Sequence, residues 1–131
     1  MTPELRILAW GCILALVHVF GTIMVKTRQY GSKWNMGPRD ETPSAAGSPL
    51  IGRLERAQAN FFETFPLYAA AALIVSVAHL GDKTTALGAL LWIGGRIVYL
   101  PLYALGVPML RTLAFAVSLI GILLVLRPAL H

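Results

Sequence analysis

Polar and charged side chains recur at helical spacing inside an apolar part of this sequence. In the stretch RLERAQANFFETFP, Arg56, Asn60 and Glu63 stand at positions i, i+4 and i+7. Residues with this spacing share one face of an α-helix. The oily stretch LYAAAALIVSVAHLG follows directly, so these groups stand where a membrane-spanning helix is expected to begin.

A second set of the same kind lies further along the chain. Arg96, Tyr99 and Tyr103 have the spacing i, i+3 and i+7, and Arg111 lies about one turn into the next apolar segment. Guanidinium and phenol groups supply positive charge and hydrogen-bond donors. Together with Arg56 and Asn60, they form a donor-rich set that suits an anionic ligand with carboxylates or a thiolate.

Each of these residues also has a purely structural interpretation. Glu63 lies about 15 Å into its helix and Arg96 reaches a similar depth, so the two can pair and hold helices together. Arg56 and Arg111 can extend to lipid headgroups, Asn60 can hydrogen-bond a neighbouring helix, and the two tyrosines can sit at the membrane interface. Convergence at one depth, on one face of each helix, favours a binding site.

Composition indicates which elements must position these groups. Of 131 residues, 56% are hydrophobic and 13% are charged, against about 25% charged in soluble domains. Continuous apolar runs without alternation predict membrane-spanning helices rather than strands. The chain is expected to be one all-α transmembrane domain over 1–131, an up-down four-helix bundle. The predicted helices cover about 5–26, 53–80, 84–105 and 108–128, with a polar loop at about 27–52.

The distribution of basic residues predicts the orientation of this bundle. The long loop and its edges carry more lysine and arginine than the opposite side, so we expect the loop in the cytoplasm and both termini outside. The residues compared are Lys26, Arg28, Lys33, Arg39 and Arg53 on the loop side, and Arg6, Lys83 and Arg127 on the other. The candidate site then faces the cytoplasmic leaflet.

Several classes of function are disfavoured by the same sequence. The single cysteine, Cys12, rules out an internal disulfide framework and a cysteine-rich metal site, and the spacing of the three histidines supports no metal site. The net charge is +5, but its basic residues adjoin apolar runs instead of forming a polar patch with interleaved aromatics. We therefore expect membrane lipids rather than nucleic acid as partners.

Four segments together resemble one known family. RAQANFFETFPLY resembles the second-helix signature of the MAPEG family, the membrane-associated proteins of eicosanoid and glutathione metabolism. GRIVYLPLY is similar to the family's third helix, and VPMLRTLAF is similar to the start of its fourth. The loop segment NMGPRDE is similar to that of bacterial members, which implies a bacterial inner membrane protein.

The resemblance implies a fold, a ligand and a reaction. Family members are homotrimers of four-helix subunits, and they bind glutathione as a co-substrate between neighbouring subunits near the cytoplasmic face. Arg111 matches the arginine that stabilises the glutathione thiolate, the nucleophile toward a hydrophobic electrophile or lipid. The positions that match glutathione-binding or site-supporting residues are Arg56, Asn60, Glu63, Arg96, Tyr99 and Tyr103.

Departures from the family pattern leave the reaction open. Phe115 and Thr112 replace a tyrosine and a serine of some relatives, which argues against a specialised isomerase activity. The leading hypothesis is a glutathione-dependent transferase or peroxidase. The alternative is a non-catalytic member that binds lipid or a protein partner. A small drug exporter is disfavoured because helix 1 has no acidic residue between Arg6 and Lys26.

Overall fold

The structure, a computed structural model, describes residues 1–38 and 49–131, and all regular secondary structure in these ranges is helical. Four long helices and one short helix make up the described chain, and a final 3-10 helix follows at Arg127–Leu130. The helices are α1 (Pro3–Tyr30), α2 (Ser32–Met36), α3 (Pro49–Val77), α4 (Lys83–Ala104) and α5 (Pro108–Leu126). Each of the four long helices has the length and the apolar composition needed to cross a membrane.

The helix ends differ from the predicted ones mainly beside the loop. α1 continues past residue 26 to Tyr30 and stops at Gly31, whose φ of 97° is costly for other residues. The predicted loop at 27–52 contains α2 and the first turn of α3, which begins with Pro49 at a position that needs no amide donor. Residues 39–48, including Arg39 and the end of NMGPRDE, lie outside the described residues.

Contacts between the helix ends establish the up-down arrangement. The hydroxyl groups of Thr2 and Ser76 lie 3.0 Å apart, which places the start of α1 beside the end of α3. Arg53, near the start of α3, donates to the carbonyl of Ala104 at the end of α4 at 3.4 Å. Consecutive long helices therefore run antiparallel. We call the end with the α1–α3 connection the loop end and the opposite one the termini end.

Glycines let α4 and α5 approach backbone to backbone. A Cβ at Gly88 would lie 2.6 Å from the carbonyl oxygen of Gly121, and a Cβ at Gly95 would lie 2.7 Å from that of Ala114. Real side chains essentially never come so close, so both positions require glycine. Small residues at such contacts are typical of packed membrane helices. In the described chain, α4 and α5 form the most extensive helix pair.

An aromatic column fills the middle of the bundle. Tyr68 stacks on Trp92 with ring centroids 4.1 Å apart and planes 4° from parallel. Phe65 lies against the same indole at 5.7 Å, and Phe61 contacts Phe65 at 5.0 Å. Tyr68, Trp92 and Phe61 are fully buried. Aromatic pairs in these geometries contribute about 0.5–1.5 kcal/mol each beyond their buried area.

Hydrogen bonds close the termini end. Glu4 is buried, and its carboxylate accepts from the Thr85 hydroxyl at 2.5 Å. The Tyr68 hydroxyl donates to the backbone carbonyl of Glu4 at 2.8 Å. Asp82 caps α4 by accepting from the Thr85 amide at 2.8 Å, and Arg127 donates to the same carboxylate at 3.0 Å. This network ties α1, α3 and α4 to the end of the chain.

Candidate ligand site

Tyr103 brings two arginines together at the loop end. The Nε of Arg56 on α3 donates to the Tyr103 hydroxyl at 3.1 Å. The Arg111 guanidinium on α5 lies over the Tyr103 ring, with its central carbon 4.4 Å from the ring centroid. Arg56 is exposed and Arg111 is half-buried. One phenol on α4 thus holds two cationic groups from different helices beside each other.

Arg96 lies deeper in the same cluster and is fully buried. Its Nη1 donates to the Asn60 side-chain oxygen at 2.7 Å, and its guanidinium lies over Tyr99 at 4.3 Å. The rings of Phe61 and Phe115 approach the guanidinium at 5.4 and 5.9 Å. Aromatic faces attract a cation through their quadrupole, so this aromatic box offsets part of the cost of burial.

The tight α4–α5 turn fixes the distance between Tyr103 and Arg111. Gly106 adopts a φ of 73°, which favours glycine, and Val107 donates its amide to the Leu102 carbonyl at 2.9 Å. Arg53 packs against the turn, and a Cβ added at Gly106 would lie only 2.8 Å from its guanidinium carbon. The turn therefore returns the chain so that the first turn of α5 faces the last turn of α4.

The expected pairing of Glu63 with Arg96 is wrong. The ion pairs of the described ranges are Lys26–Glu55 at 3.3 Å and Arg127–Asp82 at 3.0 Å, and Arg96 bonds Asn60 instead. Glu63 is exposed on the outer face of α3, because its neighbour Thr64 turns inward and is buried. The two residues were expected at the same membrane depth, but the Glu63 side chain is exposed and the Arg96 side chain is buried in the bundle.

Six of the seven candidate residues therefore join one cluster through direct contacts, and Glu63 makes none of these contacts. The six are Arg56, Asn60, Arg96, Tyr99, Tyr103 and Arg111. Its three guanidiniums have no ion-pair partner within residues 1–38 and 49–131. In those ranges, no group of His, Cys, Asp and Glu side chains could hold a metal ion. An arrangement of cations and phenols can bind carboxylates and stabilise a developing negative charge.

Sequence reasoning missed the aromatic walls of this cluster. Phe61 follows Asn60 directly and contacts the Arg96 guanidinium, yet in the sequence it reads as an ordinary apolar residue. Phe115 was noted only as a departure from relatives, although its spacing of i+4 from Arg111 points it into the same region. The helical spacing of aromatics relative to the arginines was the signal available.

Four membrane-spanning helices with a cationic, donor-rich cluster at one end define an integral membrane protein with a polar site. The model of the MAPEG family matches residues 7–130, nearly the whole chain. The chain belongs to the MAPEG family, whose members include glutathione transferases and related proteins. A search of the curated proteins finds no match.

Proposed function

We propose that the loop-end cluster binds glutathione and that the protein transfers it to hydrophobic electrophiles or uses it to reduce hydroperoxides. The observation that carries this proposal is the pair of guanidiniums, Arg56 and Arg111, held on Tyr103 without a carboxylate partner in the described chain. Such a pair leaves charge-assisted hydrogen bonds available for an anion, and glutathione carries two carboxylates and an ionisable thiol.

The residues of the cluster take different roles in this proposal. Arg56, the exposed guanidinium, binds a glutathione carboxylate, with Asn60 and Tyr99 supporting the peptide. Arg96 is the buried positive charge behind them, and Tyr103 orients both neighbouring arginines. Arg111, in the first turn of α5, stabilises the thiolate, because a nearby positive charge lowers the pKa of a thiol.

The transfer reaction balances without a further cofactor. The thiol of glutathione loses its proton to water, and the thiolate stays beside Arg111. Its sulfur attacks the electrophilic carbon, so a C–S bond forms and the leaving group departs with the electron pair. In the peroxidase reaction, two glutathione molecules are oxidised to the disulfide while a hydroperoxide is reduced to an alcohol and water.

The outer face of α3 supports assembly into a homotrimer. Arg56 and Glu63 are both exposed there within a membrane-spanning helix. A charge facing lipid at the bilayer centre costs roughly 2.5–3.5 kcal/mol on insertion scales, so such a face is normally covered by protein. We infer that a second copy covers it, with glutathione between copies and Glu63 within reach of the glutathione ammonium group. Native mass spectrometry that finds only monomers would contradict this.

The basic loop supports the orientation and location in the proposal. Lys26, Arg28 and Lys33 lie at the loop end, which favours the cytoplasmic side of a bacterial inner membrane. The ligand site would then open toward the cytoplasm, where glutathione is made. Labelling of single cysteines placed at Ser32 or at His131, with Cys12 removed, measures this orientation in intact cells.

Calorimetry of the detergent-purified protein with glutathione tests the proposal, followed by conjugation of 1-chloro-2,4-dinitrobenzene. We expect binding at millimolar glutathione or below, and an affinity about 10-fold weaker in Arg56→Ala. Arg127→Ala removes the same charge at the termini end and should leave binding unchanged. No heat of binding at millimolar glutathione would refute the proposal. Binding without conjugation or peroxide reduction would instead support the non-catalytic alternative.

A further inference from the structure

A second polar cluster lies in the core of the bundle, around the ring of Phe61. The His18 ring on α1 lies 4.8 Å from Phe61 between centroids, and Trp92 lies 6.0 Å away. The Arg96 guanidinium approaches the same ring at 5.4 Å. His18 is 2% exposed, and Trp92 and Arg96 are 0% exposed. These groups from α1 and α4 are thus sealed from lipid and from water outside.

Five nitrogens of this cluster have no hydrogen-bond partner within the described ranges. They are both ring nitrogens of His18, the indole nitrogen of Trp92, and Nε and Nη2 of Arg96. No other buried side-chain nitrogen or oxygen in residues 1–38 and 49–131 shares this condition. An unsatisfied buried donor costs about 1–3 kcal/mol, and native proteins pair nearly all such groups.

The chemistry of the five nitrogens shows what they require. Guanidinium and indole nitrogens only donate hydrogen bonds, and a neutral imidazole provides a single acceptor. The three side chains therefore cannot satisfy one another. The bond of Arg96 to Asn60 uses only Nη1, so the remaining donors outnumber the single imidazole acceptor and most of them need an external acceptor atom. A small acceptor held by several buried groups is how globular proteins resolve this situation.

We propose that the core of the bundle binds a small hydrogen-bond acceptor, a water molecule or a chloride ion, between His18, Trp92 and Arg96. The acceptor completes the hydrogen bonding of the inner side of Arg96. Its outer side is thereby held against Tyr99 and toward Asn60. His18 and Trp92 are positioning residues for the loop-end cluster, although neither belongs to it. A chloride ion would also offset the buried charge of Arg96.

Ultraviolet resonance Raman spectroscopy of Trp92 tests this proposal without glutathione, so its outcome is independent of the proposed function. The double variant Trp10→Phe/Trp34→Phe leaves Trp92 as the one indole of the chain. We expect an indole N–H vibration typical of a hydrogen-bonded indole. Adding His18→Leu should shift it toward the free indole, and His18→Gln should restore it, because an amide can still hold the acceptor. A free indole before any change at His18 would overturn the proposal.

Exchange of chloride for gluconate distinguishes the two acceptors. A Trp92 vibration and a melting temperature that both respond to chloride, and cease to respond in His18→Leu, identify chloride. A hydrogen-bonded indole that is indifferent to chloride identifies water. Because the spectrum before any change at His18 decides the main question, the test stands even where His18→Leu fails to fold.

Discussion

The two ends of the bundle use their polar groups in opposite ways. At the termini end, the buried Glu4 carboxylate accepts from Thr85, and the Asp82 carboxylate accepts from the Thr85 amide and from Arg127. At the loop end, Arg56 and Arg111 meet on Tyr103 with no acid paired to them in the described chain. The carboxylates of the termini end are hydrogen-bonded within the protein, whereas the loop end leaves positive charge available for a ligand.

This difference leads us to expect that stability and ligand binding depend on opposite ends of the bundle. A closed network of hydrogen bonds fixes the ends of helices, and removing a member leaves its buried partner unsatisfied. Like charges held by aromatic rings repel one another and so do not stabilise the bundle by attraction. A bound anion would offset this repulsion. We therefore expect changes at the termini end to alter folding and changes at the loop end to alter binding and catalysis.

The largest effect is expected at the loop end, from Arg111→Ala. Loss of the guanidinium removes the charge that we propose stabilises the thiolate, and we expect kcat/KM for 1-chloro-2,4-dinitrobenzene to fall about 10²-fold. Thermal unfolding should change little, because Arg111 is half-buried and stacks on only one ring in the described chain. Arg111→Lys keeps the charge and should recover part of the rate. An unaltered rate in Arg111→Ala would refute its role.

A smaller effect of the opposite kind is expected at the termini end, from Glu4→Ala. The Thr85 hydroxyl loses its hydrogen bond to a buried carboxylate and keeps only the Asp82 carbonyl, at 2.9 Å, as an acceptor. We therefore expect the free energy of unfolding in detergent to fall by roughly 1–3 kcal/mol. Glutathione affinity should stay the same. Glu55→Ala is the matched control, since it breaks the partly exposed Lys26–Glu55 pair and should cost at most about 1 kcal/mol. Equal costs in the two variants would contradict the comparison.

The smallest effect concerns acid stability at the termini end. The Thr85 amide hydrogen bond, with a smaller contribution from Arg127, holds the pKa of Asp82 below its ordinary value. A carboxyl group whose pKa is lowered by folding stabilises the protein at pH values above its ordinary, unfolded-state pKa. That contribution is lost as the pH falls through the folded-state pKa. Asp82→Asn should therefore lose slightly less stability than the native chain on acidification. Melting curves from neutral pH to about pH 3 check this, and parallel losses would refute it.

The long apolar runs were sufficient to predict the four spanning helices, because hydrophobic length alone decides what can cross a bilayer. They could not predict the helix ends, since Gly31 and Pro49 act through local backbone geometry inside a polar segment. The short helix α2 was missed for the same reason. Periodicity located the candidate residues on shared faces, but the family resemblance was needed to suggest what they bind.

Rotation about the helix axis was the main quantity that the sequence did not determine. Glu63 and Arg96 were placed at one depth, yet Phe61 and Thr64 turn the inner face of α3 so that Glu63 points outward. Burial of Glu4 was equally hidden, because it depends on Thr85, 81 positions away. Such facts arise from packing between distant segments, which no local pattern encodes.

The glycine contact between α4 and α5 has a mechanical consequence. Backbone-to-backbone packing at Gly88 and Gly121 brings these helices closer together than side chains would allow, and we expect them to move as one body. The loop-end cluster spans the seam between that body and α3, because Arg56 comes from one side and Arg111 from the other. Any ligand that bridges the two guanidiniums is thermodynamically linked to the width of the seam. A change in the lateral pressure of the membrane that widens the seam should weaken glutathione binding. Glutathione affinity in bilayers of different thickness measures this linkage directly.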